Sequence, residues 1–210
     1  MDLVVQTDEA RRNFESHPVI LDAVANGMAL DRYRVLLSEL YSLVWHFNPT
    51  CAAAASRIPE EYGPVRSFLY EHMHEEAGHE QWVLNDLEAV GVSREASLAY
   101  SPSAHVLALN GYNYWAADRK HPCSILGMMY VLEVIASVYG GPFSAAMKEA
   151  LLLQGERGVS FINSHASLDA GHMAQLRIIL NTLASEQSQA AVIESTLVNF
   201  NHVTHIFGSV

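Results

Sequence analysis

The sequence predicts an all-α fold, a single-domain helical bundle of about seven helices spanning residues 1–210. Three observations carry this. Apolar residues recur at three-and-four spacing along most of the chain. Gly and Pro punctuate it at helix-like distances, and alternating strand patterns are nearly absent. Half the residues are hydrophobic and 17% are charged, a composition that excludes wholesale disorder. At 210 residues the chain can bury a substantial core.

The elements follow from that punctuation. A short helix is expected over 17–25, closed by Asn26-Gly27. A longer one covers 30–56, with Leu36, Leu37, Leu40, Tyr41, Val44 and Phe47 on its apolar stripe. Pro59, Gly63 and Pro64 break the chain, and a third helix is expected over 65–90, stopped by Gly91. Ser101-Pro102 opens the next segment, since Pro is tolerated in a first helical turn. His121-Pro122 marks a boundary, Gly140-Gly141-Pro142 breaks or kinks the apolar helix that follows, and Gly155 and Gly158 mark a loop. Two last helices fit 159–184 and 188–206.

Charge and cysteine content narrow the function. With 12 Lys+Arg against 23 Asp+Glu, the net charge of −11 argues against nucleic acid or an anionic membrane as partner. Cys51 and Cys123 are too few for a disulfide scaffold or a thiolate metal site. No basic region followed by an apolar run opens the N-terminus, so a cytoplasmic location is expected.

Three features carry chemistry. From Pro122 to Met147 the only charged residue is Glu133, so hydropathy alone would allow a membrane span. A mid-span carboxylate and the Gly-Gly-Pro interruption favour instead a central helix of a bundle. A buried ionised carboxylate costs several kcal/mol unless it is paired or metal-bound, and no basic residue stands within a helical turn of Glu133. Any partner must come from another helix, or the group is a protonated core Glu. The second feature is His165, Asp169 and His172, at i, i+4 and i+7. At about 100° per residue they fall within roughly 60° of one another on one helix face. Two imidazoles and a carboxylate on one stripe suit Fe(II), Mn(II) or Zn(II); the alternative is a polar surface stripe. The third is Glu76-x-x-His79, the spacing by which bundle proteins present a carboxylate and an imidazole inward. His72 lies four residues before Glu76, and Glu75 is an alternative partner for His79. An acidic, His-rich solvated helix would look the same.

Glu-x-x-His, then Tyr130-Val131-Leu132-Glu133, then His-x-x-x-Asp-x-x-His resembles the haem-oxygenase-like di-iron oxidases and oxygenases, a branch of the fold shared by haem oxygenase and TenA. The resemblance also takes in His17-Pro18-Val19, the stretch from Leu40-Tyr41 to Phe47, and Glu75 to Trp82 with Leu84-Asn85-Asp86-Leu87. It implies two Fe(II) per chain held by Glu76, His79, Glu133, His165, Asp169 and His172, with O2 as co-substrate. Some members place the first Glu seven residues before the His, where this chain has His72, so Glu76 or Glu75 takes that part, or a single iron is held. The implied activity is oxidation or oxygenation of a small amine- or carboxylate-bearing molecule of amino-acid or fatty-acid type, by C–C cleavage, desaturation or N-oxygenation. An external electron donor and a homodimer go with it.

Tyr41, Trp45, Tyr130 and Tyr139 are candidate pocket residues, while Cys123 reads as a buried structural thiol and His202 and His205 as surface residues. The rival readings are a TenA- or PqqC-like cofactorless enzyme, haem oxygenase itself (to which Gly140-Gly141 would lend a flexible helix), and a non-catalytic metal-binding partner protein.

Overall fold

A computed structural model describes residues 2–210, the side chains of 167–170 excepted. The described residues are helical with no strand, in the order α1 (Leu3–Gln6), α2 (Asp8–Glu15), α3 (Pro18–Asn26), α4 (Leu30–Ala55), α5 (Gly63–Glu75), α6 (His79–Ala89), α7 (Arg94–Leu98), α8 (Ala104–Arg119), α9 (Ile125–Ile135), α10 (Gly141–Ala150), α11 (Ser160–Asn181) and α12 (Glu186–Ser209). Single 3₁₀ turns precede α5 and α9, and a π-helical turn, Ala136–Gly140, joins α9 to α10.

These are more segments than the seven expected, for identifiable reasons. The helix expected over 65–90 is two: Gly78 adopts φ +94° between α5 and α6, a left-handed conformation that ends the first and starts the second. The apolar stretch after Pro122 runs through α9, the π turn and α10, with Pro142 in the first turn of α10. Pro142 has no N–H to bond back into the preceding turn, and widening that turn accommodates the loss. The chain before His17, to which periodicity assigns no element, forms α1 and α2.

Two apolar clusters make the core. One gathers Leu43, Cys51, Ala54, Leu69, Leu126, Met129 and Phe200; the other gathers Tyr33, Leu36, Leu37, Leu84, Leu87, Phe143 and Met147. Helix α4 runs through both, which is why its stripe had to be continuous. By length and composition one stretch, Pro122–Ala150, could cross a membrane, yet 67% of its most apolar window is buried inside the bundle. Its apolarity is accounted for by that position.

Buried polar groups fix the register. Asn113 of α8 and Asn199 of α12 exchange side-chain amide hydrogen bonds of 2.9 and 3.0 Å. Asp86 of α6 caps the start of α11 from outside, accepting from the Gly158 and Ser160 amides at 3.0 Å, the Ser160 hydroxyl at 2.8 Å and the Phe161 amide at 2.8 Å. Glu39 of α4 does the same for α8, accepting from the Ser103 amide and hydroxyl at 3.0 Å and from the Tyr100 hydroxyl. Each carboxylate thus occupies orphan donors at a helix N-terminus, where the dipole also favours negative charge.

Candidate metal centre

Four elements deliver the chemistry-bearing side chains to one place. His72 lies in the last turn of α5, with Glu76 just past its end, and His79 opens α6. The left-handed turn at Gly78 lets Glu76 and His79 converge although they do not share one unbroken helix. Glu133 comes from the last turn of α9, and His165 and His172 from α11. The π turn after Glu133 sits directly against α11: a Cβ on Gly140 would meet the Ile162 carbonyl at 3.2 Å and the Ala166 methyl at 3.3 Å. A side chain at residue 140 would push α9 and α11 apart, and with them Glu133 and the two histidines.

The cluster divides into two groups joined by Glu76. One carboxylate oxygen, Oε2, lies 2.6 Å from His79 Nδ1 and 3.3 Å from His165 Nε2. The other, Oε1, faces His72 Nε2 at 4.0 Å and His172 Nδ1 at 3.9 Å. Glu133 Oε1 stands 3.4 Å from His72 Nε2 and 3.3 Å from His172 Nδ1. In both groups one ligand atom from each of three side chains falls within 4.8 Å: Glu76, His79 and His165 in the first, His72, Glu75 and His172 in the second.

The surroundings set tautomer and charge. His165 Nδ1 donates to the Phe161 carbonyl at 2.9 Å, which turns Nε2 toward Glu76 and His79. Trp82 stacks on His79 at 4.0 Å, and Phe47 and Phe68 hold the ring of His72. Burial pushes His72 down to about 4, against the opposing pull of Glu76, so its imidazole is neutral near pH 7. Burial works to raise Glu76, but hydrogen bonds and charge from His165 and His79 outweigh it and hold the carboxyl well below its usual range. Among the described residues, neither ring nitrogen of His72 finds a hydrogen-bond partner. A buried imidazole so placed, facing two carboxylates and a second imidazole, would be satisfied by a cation in their midst. The donor set therefore fits metal ions.

Of the sequence-predicted ligands, Glu76, His79, Glu133, His165 and His172 come together here, while the side chain of Asp169 lies outside the described residues. Both candidate carboxylates of the first motif reach the cluster from different sides: Glu76 is 11% exposed, whereas Glu75 is 47% exposed and meets His172 Nε2 at 3.4 Å from the rim. His72 is the member that sequence reasoning did not place among the ligands; its i, i+4 offset from Glu76 was the available signal. Tyr139 of the π turn lines the adjoining cavity. Tyr41 and Trp45 lie instead on a separate surface depression, and Tyr130 packs against Phe200. Cys123 is fully buried with its thiol pushed up to about 12, as suits an inert side chain. His205 is exposed and stacks on His105, and His202 is half-buried beside them.

An iron-containing redox enzyme family model matches residues 34–199, a span that includes every residue of the cluster. The chain belongs to that family. No curated protein sequence matches it significantly. Among solved structures it is similar to a domain of unknown function with a haem oxygenase-like fold from Shewanella denitrificans, at 23% identity and TM-score 0.86, over 100% of this chain and 91% of that one. A TenA homologue from Pseudomonas syringae gives 15% identity and TM-score 0.82, over 99% and 89%. Haem oxygenase from Leptospira interrogans gives 14% and 0.77, over 99% and 97%. The fold is the haem oxygenase-like one, and the chain is an iron-containing redox enzyme at that level of description.

Proposed function

We propose that the protein is an O2-dependent non-haem di-iron oxidase or oxygenase acting on a small amine- or carboxylate-bearing substrate. The observation that carries this reading is Glu76, whose two oxygens face two separate groups of nitrogen and oxygen donors. Glu76, His79 and His165 would hold one iron; His72, Glu133 and His172, with Glu75 at the rim, would hold the other. Asp169 is added to the set by its place in the His-x-x-x-Asp-x-x-His motif. Two ferrous ions there supply the electrons and Lewis acidity that dioxygen activation requires.

The chain's own residues have definable parts. The neutral imidazole of His72 offers a lone pair at neutral pH without first losing a proton. The carboxylates offset the charge of the metals. Trp82, Phe161, Phe47 and Phe68 keep bulk water from the imidazoles. The Gly140-Gly141 pair, which alone would suit a helix flexing over haem, is engaged in close packing on α11. That contact supports the non-haem reading over haem ligation.

Anaerobic reconstitution with Fe(II), followed by metal analysis and oxygen-electrode measurements, tests the proposal. About two irons per chain and O2 uptake that rises with a candidate substrate are expected. Iron binding with no O2 uptake on any substrate would favour a metal-binding partner protein. Absence of iron binding alongside tight haem binding would overturn the reading.

A further inference from the structure

The chain has three tryptophans, and they stand in different surroundings. Trp45 and Trp115 are exposed; the first packs on His46, the second on Tyr112 and under the Lys120 ammonium. Among the described ring contacts only Trp82 meets the metal cluster. Its indole stacks on His79 at 4.0 Å and 25°, and meets His165 edge-on at 6.0 Å. The three-residue offset along α6 brings the indole and the imidazole to one helix face. His79 is buried, with Nδ1 2.6 Å from Glu76 Oε2, whereas Trp82 is half-buried. The indole therefore links a ligand of the cluster to the solvent boundary.

We infer that Trp82 is an electron relay, acting through His79, that discharges the metal centre when O2 has oxidised it and no substrate is bound. The inference rests on the di-iron reading of the centre. The adjoining cavity, lined by Leu40, Val44 and Phe143 among others, is where a substrate would otherwise consume the oxidising equivalents. Indole and phenol are the most readily oxidised aromatic side chains, and electron transfer falls off exponentially with distance, so ring contact with a ligand favours Trp82. Tyr139 is the rival, but its hydroxyl donates to Glu15 at 2.6 Å and its ring packs on Phe14. In the step, the indole gives one electron to the oxidised centre and its N–H proton to water. A one-electron reductant in solution then returns the electron, and water returns the proton. Without the relay the oxidising equivalents turn on the centre's own surroundings. Cys51 of α4 is the vulnerable group there, a fully buried thiol that feels the charge of Glu76.

Rapid freeze-quench electron paramagnetic resonance tests the relay. Fe(II)-loaded protein is mixed with O2 without substrate, and peptide mass spectrometry afterwards locates the oxidised side chains. A transient tryptophan radical is expected, narrowed by ring-deuterated tryptophan and shortened in lifetime by ascorbate. Trp82→Phe keeps a flat ring on His79, so iron content should hold while the radical is lost and oxidation moves to Cys51. Trp82→Tyr should replace the signal with a tyrosyl one, and Trp45→Phe and Trp115→Phe should leave the wild-type signal unchanged. A wild-type protein that binds iron and consumes O2 without a radical overturns the relay and leaves the di-iron reading standing. So does a radical that survives Trp82→Phe. Loss of iron in Trp82→Phe, with neither iron nor a tyrosyl signal recovered in Trp82→Tyr, would make Trp82 a prop for His79 and also overturn the relay. Failure of the wild-type protein to bind iron or consume O2 removes the relay and the di-iron reading together.

Discussion

Among the described residues, four carboxylates lie wholly or largely inside this bundle, and they fall into two kinds. Asp86 and Glu39 accept hydrogen bonds from the amides and hydroxyls that open α11 and α8. Glu76 and Glu133 are met by imidazoles from other elements, and receive no backbone N–H among the described contacts. Both kinds bear the same desolvation cost. The first sets it against fixed donors of the fold, where an oriented helix end is a permanent counter-dipole. The second sets it against imidazoles, which at Glu76 outweigh the burial and whose protons a bound cation would replace. The contrast separates carboxylates that hold the scaffold from carboxylates held by it.

Substitutions should split along that line. Glu76→Ala is expected to have the largest effect on function: both metal groups lose a shared ligand, iron content falls to about one per chain or less, and O2 uptake drops by on the order of a hundredfold or more. The melting temperature of the metal-free form should fall less than in Asp86→Ala, because the imidazoles left behind can lose their protons, whereas stranded amides cannot. A large loss of metal-free stability would erase the distinction. Asp86→Ala should behave in the opposite way. It strands the Gly158, Ser160 and Phe161 amides at the start of α11, costing on the order of 3 kcal/mol, or about 6–12 °C in melting temperature. The folded fraction should still bind iron.

Acid should reveal the second kind of group. The folded-state pKa of His72 is about 4 against an ordinary 6.5, so between those values the unfolded chain binds the extra proton and the folded one does not. The associated stability is fully present above about 6.5 and is lost as pH falls through about 4. The change is up to about 3 kcal/mol. Denaturant unfolding of metal-free protein across that window should show the decline, and His72→Phe should flatten it. The smallest effect expected is at Gly78. A Cβ at this position would meet no other atom within 4 Å, so Gly78→Ala brings no steric clash, only the penalty of its left-handed backbone. About 1–2 kcal/mol is expected, with weakened iron binding because the turn orients Glu76 toward His79. A stability loss without change in iron affinity would show that the turn serves the chain path alone.

Much of the centre was legible in the residues. Glu133 stood out as a lone charge in an apolar run, and the His165, Asp169 and His172 stripe is a consequence of helical pitch. Glu76-x-x-His79 was visible as a pair but not as a junction, because an isolated Gly such as Gly78 is also tolerated inside a helix. His72 could not be chosen over the neighbouring His74 without knowing which face meets α9 and α11; the structure buries the first and exposes the second. The cavity was illegible for a related reason: Leu40, Val44 and Phe143 carry the same pattern whether they touch one another or surround a space.

Periodicity and punctuation by themselves determined that the chain is all-α, since both depend on neighbours within a turn or two. They also marked the residue types able to bind metal, because a charge in an apolar run needs a partner wherever it lies. Only the tertiary structure decided which imidazoles meet which carboxylate oxygens, that Asp86 and Glu39 serve as caps while Glu76 and Glu133 do not, and where the bundle leaves a gap. Those outcomes turn on how closely α9, through Gly140, approaches α11, a distance set by packing between segments far apart in the chain.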